Sequence, residues 1–414
     1  MLSRFLSLTP ALVTAACGAL APTPSPAPSG GENAVVVSAF DGGNTAAIDA
    51  SEPRFDWKEA TLSPRPGGAF DPRDRDLLAA CGAGDDALAG AAQLWGERKL
   101  RGLTELDVSD VSFALRAAGS PYVWPRIWSL EGRVLDRAEA ERLMRRWLES
   151  FDDGGERRCG IASLAASDKQ LIVVVAVDVI ADLSSLPTRV RSGEWLDVRA
   201  RLLVPPRAAE VVILGPIGRP KKVTLSLQGG EVRARFAADR SGTWLAQVVA
   251  DVGAGPRPVA EALIHADLEP PAVYRATPAP GEEAAQQGDD PATAIARMVN
   301  AARLAEGLPA LRRDGRLDAI AEKQAQAMRT AGRVGHDLGF GSPGDRVTAV
   351  GLEVAAVGEN VSHAPMVARA HRSLWASPSH RGNLLHPRYD AVGVGAVTGN
   401  DGTLWVCELF ADFR

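Results

Sequence analysis

The chain has 414 residues, 46% of them hydrophobic and 23% charged, with a formal net charge of -5. That length exceeds one ordinary hydrophobic core, and the apolar share rules out wholesale disorder, so two or three packed domains are expected. A net charge this small creates no field to gather a polyanion, which excludes nucleic acid as a partner.

Residues 1–17, MLSRFLSLTPALVTAAC, combine one arginine, an apolar run from Phe5 to Val13 and small residues leading into Cys17. This reads as an export signal. Because Ala15-Ala16 ends directly on a cysteine, it resembles a bacterial lipoprotein signal with Cys17 as the lipidated residue, although Thr14 replaces the usual leucine. Ordinary secretion with a nearby cysteine is the alternative. No other apolar run reaches the ~18 residues of a membrane span. Residues 18–60, rich in proline, alanine and serine at their start, are expected to be a disordered tether.

Residues 61–188 read as an α/β domain. Helices dominate from Asp76 to Leu148, as in LDRAEAERLMRRWLESF, and LIVVVAVDVI, Leu171 to Ile180, reads as a strand buried on both faces. In an exported protein Cys81 and Cys159, both in this domain, are expected to pair, while Cys407 in TLWVCELF reads as a buried small hydrophobe. Across 189–270 the period shortens toward two in short runs such as WLDVRARLLV and TWLAQVVADV, separated by turn signals. That spacing suggests an immunoglobulin-like β-sandwich. Residues 271–291 are expected to be a linker.

From Ala294 the helical period returns, with two helices separated by EGLPALRRDG. GHDLGFGSPGDRVTAVGLEVAAVGENVS reads as loops with a short helix around Arg346, a helix follows from Pro365 to Trp375, and VGVGAV and LWVCELFADF read as closing strands. The motifs LPAL, GHDLGFGSPGDR, GENVS, SPSHRGNLLHPRYDAVGVGAV and LWVCELF, in this order over 292–414, resemble the bacterial SCP-like branch of the CAP superfamily. That superfamily includes the cysteine-rich secretory proteins, antigen 5 and the pathogenesis-related proteins. The resemblance implies an α-β-α sandwich whose central cleft receives two histidines and two acids in many relatives. His336 of GHD and His380 of SHRGN match the histidines, and Glu359 of GEN matches one acid. The second acid is missing, because Pro378 stands three residues after Trp375 where those relatives carry a glutamate.

Two neutral imidazoles and a carboxylate could hold Zn2+ with one position open, or pass a proton between them. His336, Glu359 and His380 are thus the candidate metal ligands and the candidate catalytic groups, with Zn2+ as the candidate cofactor. The competing reading is that each histidine orders a turn and Glu359 satisfies backbone N–H groups. An HExxH helix, a GxSxG elbow and a paired catalytic cysteine are absent from the sequence. Arg346, Asn360, Arg381 and Asn383 are assigned structural roles in tying loops, and His363, His371 and His386 are assigned no function.

Residues 61–188 also parallel the C-terminal part, suggesting a degenerate CAP-like copy in which SPY replaces GEN. Three functions compete. One is a lipid-anchored binding protein of the bacterial cell envelope, periplasmic or on the outer surface, whose cleft takes a metal, small molecule, lipid or peptide. Another is a hydrolase of peptide or cell-wall substrates using a metal-bound water with Glu359 as base. The third is a scaffold with a vestigial cleft. The incomplete ligand set favours binding and leaves enzymatic activity undecided.

Overall fold

A computed structural model describes residues 36–38, 45–47, 54–58, 71–102, 108–149, 151, 154–166, 169–253, 255–275 and 277–413. Cys17 and the segment expected to be an export signal lie outside them. Two short strands, β1 (Val36–Ser38) and β2 (Thr45–Ala47), precede the first unit. That unit runs α1 (Arg75–Cys81), β3 (Ala83–Gly84), α2 (Asp86–Leu100), α3 (Val108–Ala117), β4 (Arg126–Gly132), α4 (Arg137–Leu148), β5 (Glu156–Ala166) and β6 (Lys169–Val179). Its sheet has β6 between β4 and β5. Period-two alternation along β6 sends Val173 and Val175 toward α2, and Ile172, Val174 and Ala176 toward α1 and α4. The strand is therefore buried on both faces, as its unbroken apolar run requires. Cys81 and Cys159 form a disulfide that ties α1 to β5 across a separation of 78 residues.

The middle region holds β7 (Ala181–Leu183), β8 (Arg189–Val190), β9 (Trp195–Leu202), β10 (Ala208–Leu214), β11 (Lys221–Val223), β12 (Leu225–Gln228), β13 (Glu231–Ala237), β14 (Gly242–Asp251) and β15 (Pro256–Ala266). They form one sheet of order β11-β10-β14-β15-β8 and another of order β12-β13-β9-β7. Val198, Ala200, Val232 and Phe236 from the second pack with Val211, Ala246, Val248 and Ile264 from the first. The same apolar cluster continues into Leu88, Ala91 and Val175 of the first unit, so these two regions share one core. β7 already pairs with β9 ahead of residue 189, and the expected division there is not a break in packing.

The C-terminal region runs α5 (Pro291–Ala305), β16 (Arg312–Arg313), α6 (Gly315–Ala331), α7 (Pro343–Ala349), β17 (Ala356–Ala364), α8 (Val367–Ala376), α9 (Pro378–Leu384), β18 (Ala391–Thr398) and β19 (Leu404–Asp412). β19 lies between β17 and β18. Val406 and Phe410 face α5, α8 and α9, whereas Cys407, Leu409 and Ala411 face α6 and α7. This is an α-β-α sandwich. Two elements depart from the sequence reading: GENVS lies within strand β17 rather than a loop, and SPSHRGNLL contains a second helix, α9.

The first and last units share an order of elements except for α9, which the first unit lacks. In each, a two-residue strand pairs parallel with a longer one, β3 with β5 and β16 with β18. In each, an aspartate N-caps the next helix, Asp85 on α2 and Asp314 on α6. In each, a glycine lets that helix touch the sheet: a Cβ on Gly160 would sit 2.0 Å from the carbonyl carbon of Leu88, and one on Gly393 2.2 Å from that of Leu317. The registers through Val175 and Leu409 then set Ile127 where Glu359 stands. Arg126-Ile127-Trp128, not Ser-Pro-Tyr, is the segment opposite GEN.

The expected tether and linker are partly docked. Trp57 is buried and donates from Nε1 to Pro271 O at 2.8 Å. Ala279 joins the C-terminal core, and Arg372 pairs with Glu282.

Candidate functional site

Glu359 shares a face of β17 with Val357 and Val361, which pack into the core beneath α6 and α7. Its side chain is only 1% exposed, yet both oxygens are satisfied. Oε1 accepts from His336 Nδ1 at 2.8 Å; Oε2 accepts from Arg346 Nη2 at 2.6 Å and from Cys407 Sγ at 3.3 Å. Beside the Arg346 guanidinium, Glu359 is placed to accept from Nδ1 of His336, and in the neutral ring that tautomer leaves the lone pair on Nε2. Arg346 also donates to His336 O at 3.1 Å, closing the loop between them. It is delivered by α7, whose start is fixed by a capping box between Ser342 and Asp345.

Cys407 is a donor here and nothing more. Burial pushes its thiol well above the ordinary thiol range, the charge of Glu359 adds to the shift, and the group stays protonated. It lies in the core, as its apolar surroundings in the sequence require, but it also braces the carboxylate.

His380 projects from α9 and is 4% exposed. Burial pushes it down to about 3, with the nearness of His336 adding to the shift, so the ring is neutral in ordinary solution. Its Nδ1 has no hydrogen-bond partner among the described residues. Pro378, in the position of the missing acid, opens α9. Asn360 Nδ2 donates to His380 O at 3.1 Å and to Glu408 Oε2 at 3.0 Å. Asn383 Nδ2 donates to Glu359 O at 3.1 Å and to Asn360 Oδ1 at 3.0 Å. Arg381 donates from Nε to Trp375 O at 2.5 Å and stacks its guanidinium on the Trp375 ring at 4.3 Å. Asn360, Arg381 and Asn383 thus hold the cleft's walls together.

Arg346 does more than tie loops, since it is the direct partner of Glu359. Glu408 had no sequence assignment at all; the signal was an acid inside the apolar run WVCELF. Burial pushes Glu408 up to about 7, against the Asn360 hydrogen bond that lowers it. The remaining histidines are structural: His265 Nδ1 pairs with Thr243 Oγ1 at 3.1 Å, His363 stacks on Trp405 at 3.9 Å, His371 Nε2 donates to Pro280 O at 2.9 Å, and His386 lies over Tyr389 at 4.3 Å.

Among the described residues no group of three or more His, Cys, Asp and Glu side chains is placed to hold a metal ion. Glu359, expected as a ligand, is instead engaged by His336, Arg346 and Cys407. A zinc ion here would have only two protein donors, His336 and His380, with Glu359 behind His336 as its orienting carboxylate.

An α-β-α sandwich bearing a buried His–Glu–Arg cluster under a histidine-carrying helix defines the class of this region. Residues 296–409 match the model of the cysteine-rich secretory protein family, CAP, and this segment is a bacterial CAP domain of the SCP-like kind. The chain is similar to the uncharacterized protein YkwD of Bacillus subtilis (strain 168), at 28% identity over 117 residues. The match covers 28% of this chain and 45% of YkwD, less than half of that relative's length. Among solved structures, an outer surface protein from Borrelia burgdorferi is 19% identical, covering 29% of this chain and 90% of that one with a TM-score of 0.28. An extracellular protein containing a SCP domain from Bacillus anthracis str. Ames is 15% identical, covering 56% and 84% with a TM-score of 0.28.

Proposed function

We propose that this is an exported, lipid-anchored protein of the bacterial cell envelope whose CAP domain binds a ligand between His336 and His380. The observation that carries the reading is the commitment of Glu359 to His336 Nδ1 and Arg346, which turns His336 Nε2 away from the glutamate, together with the unpartnered Nδ1 of buried His380. The same lack of a partner is seen at His265, His363, His371 and His386, and what sets His380 apart is its place beside His336. Zinc bound by the two imidazoles would act as a Lewis acid toward an oxygen-bearing ligand. Binding is favoured over hydrolysis, because Glu359 is only 1% exposed and already accepts from His336, Arg346 and Cys407, which keeps it from direct contact with a ligand. Export is supported by the segment ending at Cys17 and by the Cys81–Cys159 disulfide, a bond typical of oxidising compartments.

The first unit is best read as a degenerate CAP-like copy that carries no chemistry. The shared order of elements, the paired aspartate caps and the glycine contacts of Gly160 and Gly393 support this, and Ile127 replaces the acid. The middle pair of sheets is read as an immunoglobulin-like sandwich, in keeping with strictly alternating burial along β9.

Elemental analysis of untagged full-length protein tests the main proposal. Stoichiometric zinc that disappears when His336 and His380 are both changed to alanine is expected. Equal metal content in the double variant would sink the assignment. Turnover of peptide or cell-wall fragments that is lost in Glu359→Gln while metal is retained would instead favour the hydrolase.

A further inference from the structure

α9 lacks a cap of its own. Ser377 precedes it without making a side-chain capping bond, and Pro378 at the first position has no N–H to offer. The first free amide, that of Ser379, donates instead to Gln247 Oε1 at 3.0 Å. Gln247 lies on β14 of the middle region and is 0% exposed. On that strand Trp244, Ala246 and Val248 face the shared core, so alternation turns Gln247 outward toward α9.

Gln247 is held in turn. Its Nε2 donates to Glu261 Oε1, its cross-strand partner on β15, at 2.5 Å, with a longer approach of 3.5 Å to Ser377 Oγ. Glu261 is also 0% exposed and its Oε2 accepts from Arg116 Nη2 of α3 at 3.0 Å. Arg116 further donates to Ser120 O at 2.9 Å and Tyr122 O at 2.6 Å. A buried polar chain therefore runs from the first unit, through the middle sheet, to the helix that carries His380. The turn joining β14 to β15 reaches the same cleft from the other side, since a Cβ on Gly255 would lie 3.5 Å from His336 Cβ.

We propose that Gln247 is a positioning residue for the cleft: by capping α9 from the neighbouring sheet it sets where His380 stands, so the site is built jointly by the CAP domain and the region before it. A seven-residue helix has little stability of its own and takes its place from tertiary contacts. A fully buried glutamine paired with a fully buried glutamate is also costly to keep unless both are satisfied, and here each completes the other. The middle sheet is then a wall of the site and not a spacer. This role rests on His380 belonging to the cleft, but its test needs neither metal nor ligand, so it can fail while the binding proposal stands.

The test compares full-length protein with Gln247→Ala by hydrogen–deuterium exchange and by diethyl pyrocarbonate labelling of histidines. Peptides spanning α9 should exchange faster by roughly tenfold or more, as for a segment released to open locally, while β17 and β19 keep wild-type protection. His380 should pass from unreactive to labelled, with His363 unchanged. The paired exchange Gln247→Glu with Glu261→Gln keeps an oxygen acceptor for Ser379 N and for Arg116 and reverses only the bond between 247 and 261, and it should restore both protections. Unchanged α9 exchange and an unreactive His380 in Gln247→Ala would overturn the proposal. So would faster exchange spread evenly over β17, β19 and α9, which marks general loss of stability. Should Gln247→Ala not fold, the swapped pair decides: protected α9 supports the role, and a folded protein with exposed α9 refutes it.

Discussion

Replacing Glu408 by glutamine should stabilise the CAP domain in neutral solution and leave it unchanged near pH 4.5. Glu408 is 0% exposed, Oε2 accepts from Asn360 Nδ2 at 3.0 Å, and Oε1 has no hydrogen-bond partner among the described residues. Burial raises its pKa from the ordinary 4.5 to about 7. Between those values the folded state holds a proton that the unfolded state has released, so stability falls as pH rises through the window and then levels off. At ~1.4 kcal/mol per pH unit, the loss is on the order of 3 kcal/mol. Glutamine keeps the acceptor for Asn360 and carries no charge, so it escapes that loss. Urea unfolding followed through Trp375 and Trp405 fluorescence should give matching stabilities near pH 4.5 and a gap that grows to roughly 3 kcal/mol above pH 7. The other titrating groups are common to both proteins and cancel. A gap independent of pH, or one that shrinks as pH rises, would refute the reasoning.

Changing both Cys81 and Cys159 to serine should cost the N-terminal unit roughly 2–5 kcal/mol, read as an earlier unfolding transition, while peptide mapping of unreduced wild type should yield the linked pair. Gly160→Ala and Gly393→Ala should each lower the melting temperature, since either Cβ would stand about 2 Å from a helix backbone that cannot yield. Arg381→Ala should destabilise the CAP domain by about 2 kcal/mol or more in chemical denaturation, because it strips the Trp375 carbonyl of its donor and the ring of its stacked cation.

β9 and β13 were legible in the sequence because one face of each is buried and the other wet, which writes the period directly into residue order. β6 was legible for the opposite reason, as an unbroken apolar run. β17 was not, since glycine, glutamate and asparagine are poor strand formers and its pairing with β19 overrides that preference. α9 is short and begins at a proline, so only its surroundings reveal it. His336, Glu359 and His380 could be named from motifs, but their duties could not. The partner of Arg346 depends on where α7 sets it against β17, and the cap on Ser379 comes from a residue 132 positions away. Nothing local in GDR or SPSH encodes either contact.

Calorimetric titration of zinc into untagged, metal-stripped full-length protein tests the cleft most directly. The account predicts one zinc per chain in wild type, none in His380→Ala, and unchanged stoichiometry with roughly 10–100-fold weaker affinity in Glu359→Gln, because Glu359 orients His336 from behind without touching the ion. Zinc binding that survives His380→Ala, or an affinity indifferent to Glu359→Gln, would contradict it.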